Sequence, residues 1–176
     1  MDKFEEEVKN DLHTYLRRVN EAEEKLPDAP DIEEKWEQIA RSYMPDGIRE
    51  YKDYPNVSLG WMMYIGMAVA KYWDEDWEVY GKLKDIYANL RAVRGFDEMD
   101  EYVREKILLL EGADFDKLEK IVGECAARTN NKLIHQHIEP GTPEAYRAFL
   151  ACLHQMYAMG AAMQLYRMGY RMTRIN

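Results

Sequence analysis

Apolar residues recur at intervals of three and four along most of the chain, the spacing of helices with one buried face. Residues 2–25 carry Phe4, Val8, Leu12, Tyr15, Leu16 and Val19 on one side with charge between them, and Pro27 and Pro30 end that helix. Asp31 stands as N-cap of a helix over 32–44 with Ile32, Trp36, Ile39, Ala40 and Tyr43 as its stripe. Pro45-Asp46-Gly47 predicts a turn after it. Residues 48–57 read as a loop held to the body by Tyr51 and Tyr54, and Ser58 as the cap of the next helix, 59–73. Amphipathic helices follow over 76–94, closed by Gly95, over 97–111, closed by Gly112, and over 114–138, with Leu118, Ile121, Val122, Cys125, Leu133 and His137 in register. Thr142 as N-cap and Pro143 at the first helical position open the last helix, 143–172.

Two of these helices lack a polar face. No charged residue occurs from Tyr54 to Ala70, nor over the nineteen residues from Ala148 to Tyr166. A helix that is apolar all round is buried all round. A membrane span needs about twenty strongly apolar residues. The later run carries His154, Gln155, Gly160, Gln164 and two tyrosines, so it reads as a central helix of a bundle. Gly60, Gly66 and Ala70 on one helix, and Ala158, Gly160, Ala161 and Ala162 on the other, allow the two backbones to approach closely. The expectation is an all-α fold. It is a single-domain bundle of about six to seven helices over 1–176, with an N-terminal hairpin (2–44) packed on core helices 58–172.

Composition agrees with that class. Two serines and four threonines in 176 residues leave little of the usual strand vocabulary, while Ala, Leu, Met, Glu, Lys and Arg favour helix. Thirteen tyrosines, four tryptophans and eleven methionines exclude a disordered acidic chain. Cys125 and Cys152 stand far apart in apolar stretches and read as two buried free thiols. The charged start, Met1-Asp2-Lys3-Phe4-Glu5-Glu6-Glu7, has neither a secretory nor a transit pattern, and the expected location is the cytoplasm.

Charge is uneven. The net value of −9 divides into −13 over residues 1–144 and +4 over 145–176, where four arginines meet no acid. Broad electrostatic binding of nucleic acid needs the opposite balance. Arg167, Arg171 and Arg174 fall at i, i+4 and i+7 on one face of the last helix. They pair with acidic helices of this chain or of a second subunit, hold a phosphate or carboxylate ligand, or touch nucleic acid, which the −13 on the remainder opposes.

Cofactor and catalytic motifs are missing: there is no Gly-rich phosphate loop, nucleophile elbow, His-Glu-x-x-His or CxxC. His135 and His137, with Glu139, are the nearest approach to a metal set. Two residues apart on a helix they point about 200° from each other and cannot share an ion unless the helix has ended. Trp73-Asp74-Glu75-Asp76-Trp77 sets acids between indoles, a sugar-hydrolysis composition that a helix break with acid at the next N-terminus explains more cheaply. The central helices could enclose a pocket lined by Trp61, Met62, Met63, Tyr64, Met156, Met159 and Met163. Two functions are therefore carried forward. The first is a non-enzymatic domain acting by association as a homo-oligomer, since two helices lacking polar faces demand more cover than five amphipathic ones supply. The second is a binding protein or small enzyme whose aromatic and Met-lined pocket takes an anionic or apolar small molecule.

Overall fold

The computed structural model describes residues 1–172, and every regular element among them is helical. The helices are α1 (Lys3–Arg18), α2 (Pro30–Glu34), α3 (Trp36–Asp53), α4 (Pro55–Glu75), α5 (Trp77–Lys82), α6 (Ile86–Arg94), α7 (Met99–Tyr102), α8 (Gly112–Ile134) and α9 (Pro143–Arg167). A π turn, Val103–Ile107, continues α7. The all-α expectation holds. Nine helices among the described residues exceed the six to seven expected because two predicted helices are each divided.

Side-chain caps make one of the divisions. Asp76 and Asp85 turn their carboxylates onto the amides of Val79 (3.1 Å) and Ala88 (3.0 Å), so the helix expected over 76–94 becomes α5 and α6. Pro30 opens α2 at N1, with Ala29 rather than Asp31 as its N-cap. The first helix stops at Arg18, not at the prolines. Asn20 takes a left-handed conformation (φ 60°), and the Glu21 amide reaches back to the Leu16 carbonyl at 2.7 Å. Asn tolerates that conformation better than most residues.

The largest correction concerns Pro45-Asp46-Gly47, which lies inside α3 rather than ending it. Gly47 packs on the Tyr43 ring, where a Cβ would stand 2.6 Å from Cε2. The Gly47 carbonyl accepts the Ser58 hydroxyl at 2.7 Å, and the Ser58 carbonyl accepts the Tyr43 hydroxyl at 2.6 Å. Ser58 is thus a buried rivet between α3 and α4, not a cap, and α4 begins with Pro55 at N1. The segment 48–57 is helical apart from a break at Tyr54. The last helix ends at Arg167, five residues before the expected 172, with Gly169 at φ 98° just beyond it.

The two charge-poor helices form the centre. Gly66 of α4 and Gly160 of α9 bring their backbones into direct contact, and Gly60 lets α8 approach through Val122 and Ala126. Helix α3 lies on α4, α8 covers α4 and α9, and α1 spans α8 and α9. These neighbours, all from the same chain, bury α4 from Ser58 to Ala70 almost without interruption. The need for a second subunit to cover the central helices therefore falls away. Cys125 and Cys152 are free and buried, as read. Among the described residues no helix is long and apolar enough to cross a membrane.

Candidate functional site

The strongest site feature lies off the centre, where α3, the end of α8 and the start of α9 meet. Ile48, Tyr51 and Lys52 come from α3, Leu133 and Ile134 from α8, and Ala145, Tyr146 and Phe149 from α9. Ile138 and the Pro140-Gly141-Thr142 turn complete a groove of about 480 Å³. Helical geometry puts these residues here: Ile48 and Tyr51 are three apart on α3, as are Tyr146 and Phe149 on α9. Thr142 fixes the start of α9 by accepting the Ala145 amide at 3.1 Å. The Tyr51 and Phe149 rings meet at 5.0 Å, and the Tyr51 hydroxyl donates to Asn130 at 2.6 Å. Burial pushes that phenol above its ordinary pKa, so it stays protonated and a donor. Ile48, Ile134 and Tyr146 are 44, 57 and 47% exposed. Three large apolar side chains left in water at one groove are a binding signature.

The sequence-predicted arginines do something else. Arg167 forms a bidentate pair with Glu21, Nε to Oε1 at 2.9 Å and Nη2 to Oε2 at 2.7 Å. Glu21 is buried. Arg171 lies beyond α9, so the helical face expected to join it to Arg167 does not exist. Its guanidinium lies over the Tyr166 ring, 3.8 Å from the centroid, donates to the Tyr166 carbonyl, and stands 3.5 Å from Glu23. Arg174 lies outside the described residues. Of the three readings, pairing within the chain is the one Arg167 and Arg171 adopt.

Tyr64, Met159 and Met163 are essentially unexposed core residues, as are Met62, Met63 and Met156. Trp61 is half-buried and donates its indole N–H to the Phe96 carbonyl at 2.6 Å. The groove lies away from this set, none of which lines it. His135 caps the end of α8 and hydrogen-bonds the Asn131 carbonyl. His137 is exposed with φ 53°, rather than closing the apolar face of α8, and the two imidazole centroids are 6.2 Å apart. Among the described residues no three His, Cys, Asp or Glu side chains converge as a metal site. In the Trp73–Trp77 segment each acid has a structural partner: Asp74 accepts the Tyr170 hydroxyl, Glu75 pairs with Lys71, and Asp76 caps α5.

Three polar clusters escaped the sequence reading. His154, inside the charge-free run, stacks on Trp36 at 4.8 Å and is held between Glu5 (2.9 Å) and Glu33 (2.5 Å). Burial alone would lower its pKa, but the two carboxylates outweigh it and raise the imidazole to about 9. Asp46, also opposed by burial, is held below the usual carboxylate range by donors from Tyr87 (2.5 Å), Arg91 (2.6 Å) and Arg49 (2.6 Å). Arg104 is 2% exposed and bridges Asp100 and Glu119 under the Phe115 ring. The signal available in advance was generic: a polar side chain in an apolar helix needs partners, but the chain does not say which.

The groove lining offers no carboxylate, imidazole or thiol, and one charged side chain, Lys52. Such a surface binds apolar groups and is poorly equipped for acid–base or nucleophilic work. The buried thiols stand apart from it, Cys125 pushed up to about 12 and Cys152 likewise raised by desolvation. No family model matches this chain, and no curated protein and no solved structure matches it either.

Proposed function

We propose that this protein acts by binding, and that its site is the groove between α3, the end of α8 and the start of α9. The observation that carries the reading is the joint exposure of Ile48, Ile134 and Tyr146 around a cleft of about 480 Å³. That volume lies within the range of about 300–1,000 Å³ typical of ligand sites. Self-association is the second reading, since the same three side chains offer a second copy an apolar contact. It now rests on this patch alone, because the central helices are covered within the chain.

Titration with the neutral alcohol decanol, followed by backbone amide shifts, tests the site. The expected result is a saturable set of shifts confined to residues 48–52 and 133–149, absent in Ile134→Glu. Shifts that fall elsewhere, or that survive Ile134→Glu, would remove the groove from consideration. Light scattering on the same samples reads the second possibility: a dimer that Ile134→Glu dissolves would favour self-association.

A further inference from the structure

The groove is asymmetric in charge. Its floor is apolar, built from Leu133, Ile138, Phe149 and the Tyr51 ring. Its single charged lining group, Lys52, is exposed and makes no ion pair among the described residues. No acid lines the groove beside it. On a chain of net charge −9 the groove lining thus carries a cation and no acid beside its apolar surface.

We infer that the groove takes an amphiphilic carboxylate, an apolar tail seated on Phe149 and Leu133 with its head group at Lys52. This rests on the groove being the binding site and adds the class of its occupant. A lysine is a compact point charge on a flexible stem, suited to a small anionic head that reaches water. The head keeps most of its hydration at the lip while the tail loses its contact with water, so neither group is left unsatisfied. A second copy of the chain fits less well. A symmetric contact centred here would bring Lys52 near its own copy and set one −9 surface against another.

Calorimetric titration of decanoate against decanol, below the micellar concentration of the first and the solubility limit of the second, separates head from tail. The wild type is expected to bind decanoate about three- to fivefold more tightly than decanol, the size of one exposed ion pair. Raised salt narrows that ratio. Lys52→Met removes that ratio, with circular dichroism showing the fold intact. Equal affinity for the two in the wild type, or a preference that persists in Lys52→Met, overturns the carboxylate assignment and leaves the apolar groove standing. Failure of both compounds to bind overturns the assignment together with the groove as a small-molecule site. A dimer dissolved by Ile134→Glu but indifferent to decanoate overturns it in favour of a second copy.

Discussion

Gly66 and Gly160 are reciprocal: each occupies the place where the other's helix presents a backbone carbonyl. A Cβ on Gly66 would overlap the Tyr157 carbonyl and stand 3.1 Å from the Ala161 nitrogen. One on Gly160 would overlap the Met63 carbonyl and stand 3.2 Å from the Met63 Cα. The obstructing atoms are main-chain atoms of helices packed on every side, so they cannot step aside as a side-chain tip can. Gly66→Ala and Gly160→Ala should each destabilise by about 3 kcal/mol or more, at the top of the range for overpacking. The helix propensity gained on replacing Gly, about 1 kcal/mol, does not offset that. Gly123→Ala is the control. A Cβ there meets nothing within 4 Å, so it should gain about 0.5–1 kcal/mol in the same urea titration. A Gly66→Ala protein as stable as Gly123→Ala would contradict the packing.

This contact was legible in the sequence, and the reason is physical. Gly66 and Gly160 sit in runs without charge, and a bare apolar run has one reading, burial against another such run. The turn at Pro45-Asp46-Gly47 was misread for an equally physical reason. Pro, Asp and Gly in succession have the local preferences of a turn, while the partners that hold the helix straight, Tyr87 and Arg91, lie more than forty residues away. The site divided the same way. Met159 and Met163 were visible as apolar residues but are ordinary core. The groove draws on three segments, 48–52, 133–142 and 145–149, two of which had been read as loop or helix end. Its apolar residues became a surface only when those segments met.

The proline inside α3 makes the second prediction. Pro45 removes one amide from the helix and crowds the carbonyl four residues earlier, a cost of about 3 kcal/mol in an isolated helix. It is exposed, so no packing is lost with the ring. Pro45→Ala should therefore raise stability, by about 1–2 kcal/mol. Asp46→Ala should lower it by about 1–3 kcal/mol, because it strands the buried Tyr87 hydroxyl, while the exposed Arg91 guanidinium turns to water. Chemical denaturation of both variants checks the pair. A Pro45→Ala protein less stable than wild type would show that the ring itself shapes α3.

His154 makes stability depend on pH. Its folded pKa of about 9 lies above the ordinary 6.5, so its contribution is complete below about pH 6.5 and is lost as pH rises through 9. A rise of that size corresponds to about 3 kcal/mol at most, and the half-exposed Glu33 reduces this to about 1–2. Glu5 runs the other way. Burial opposes its charge, but the bonds from His154 and Gln155 hold it below 4.5, so its share is present above that pH and lost on acidification. The clamp therefore works best between about pH 5 and 6.5. Urea midpoints at pH 6.5 and 9.5 should fall by that amount in the wild type and not in His154→Gln. The protection factors of α1 amides, which correct for base-catalysed exchange, should fall over the same interval, because Glu5 ties α1 to α9.

Arg104 tests how a buried cation is tolerated in an acidic chain. Its guanidinium donates to the Asp100 carboxylate (3.0 Å), to Glu119 (3.1 Å) and to the Phe115 carbonyl (3.2 Å), and lies 4.0 Å from the Phe115 ring centroid. Arg104→Met fills the volume but leaves Asp100 buried without its counter-charge, at a cost of about 3–5 kcal/mol at neutral pH. Arg104→Lys should also cost about 2 kcal/mol, because an ammonium cannot reproduce the fork that serves three acceptors. Burial already pushes Asp100 above its ordinary pKa, and losing Arg104 pushes it further. A group with a raised folded pKa favours the folded state at low pH, so Arg104→Met should recover part of its deficit on acidification. Adding Asp100→Asn to Arg104→Met should restore stability at neutral pH, a double-mutant cycle with coupling of about 2 kcal/mol. Additive losses, with no recovery in acid, would mean that the arginine acts through the Phe115 ring and the backbone rather than through Asp100.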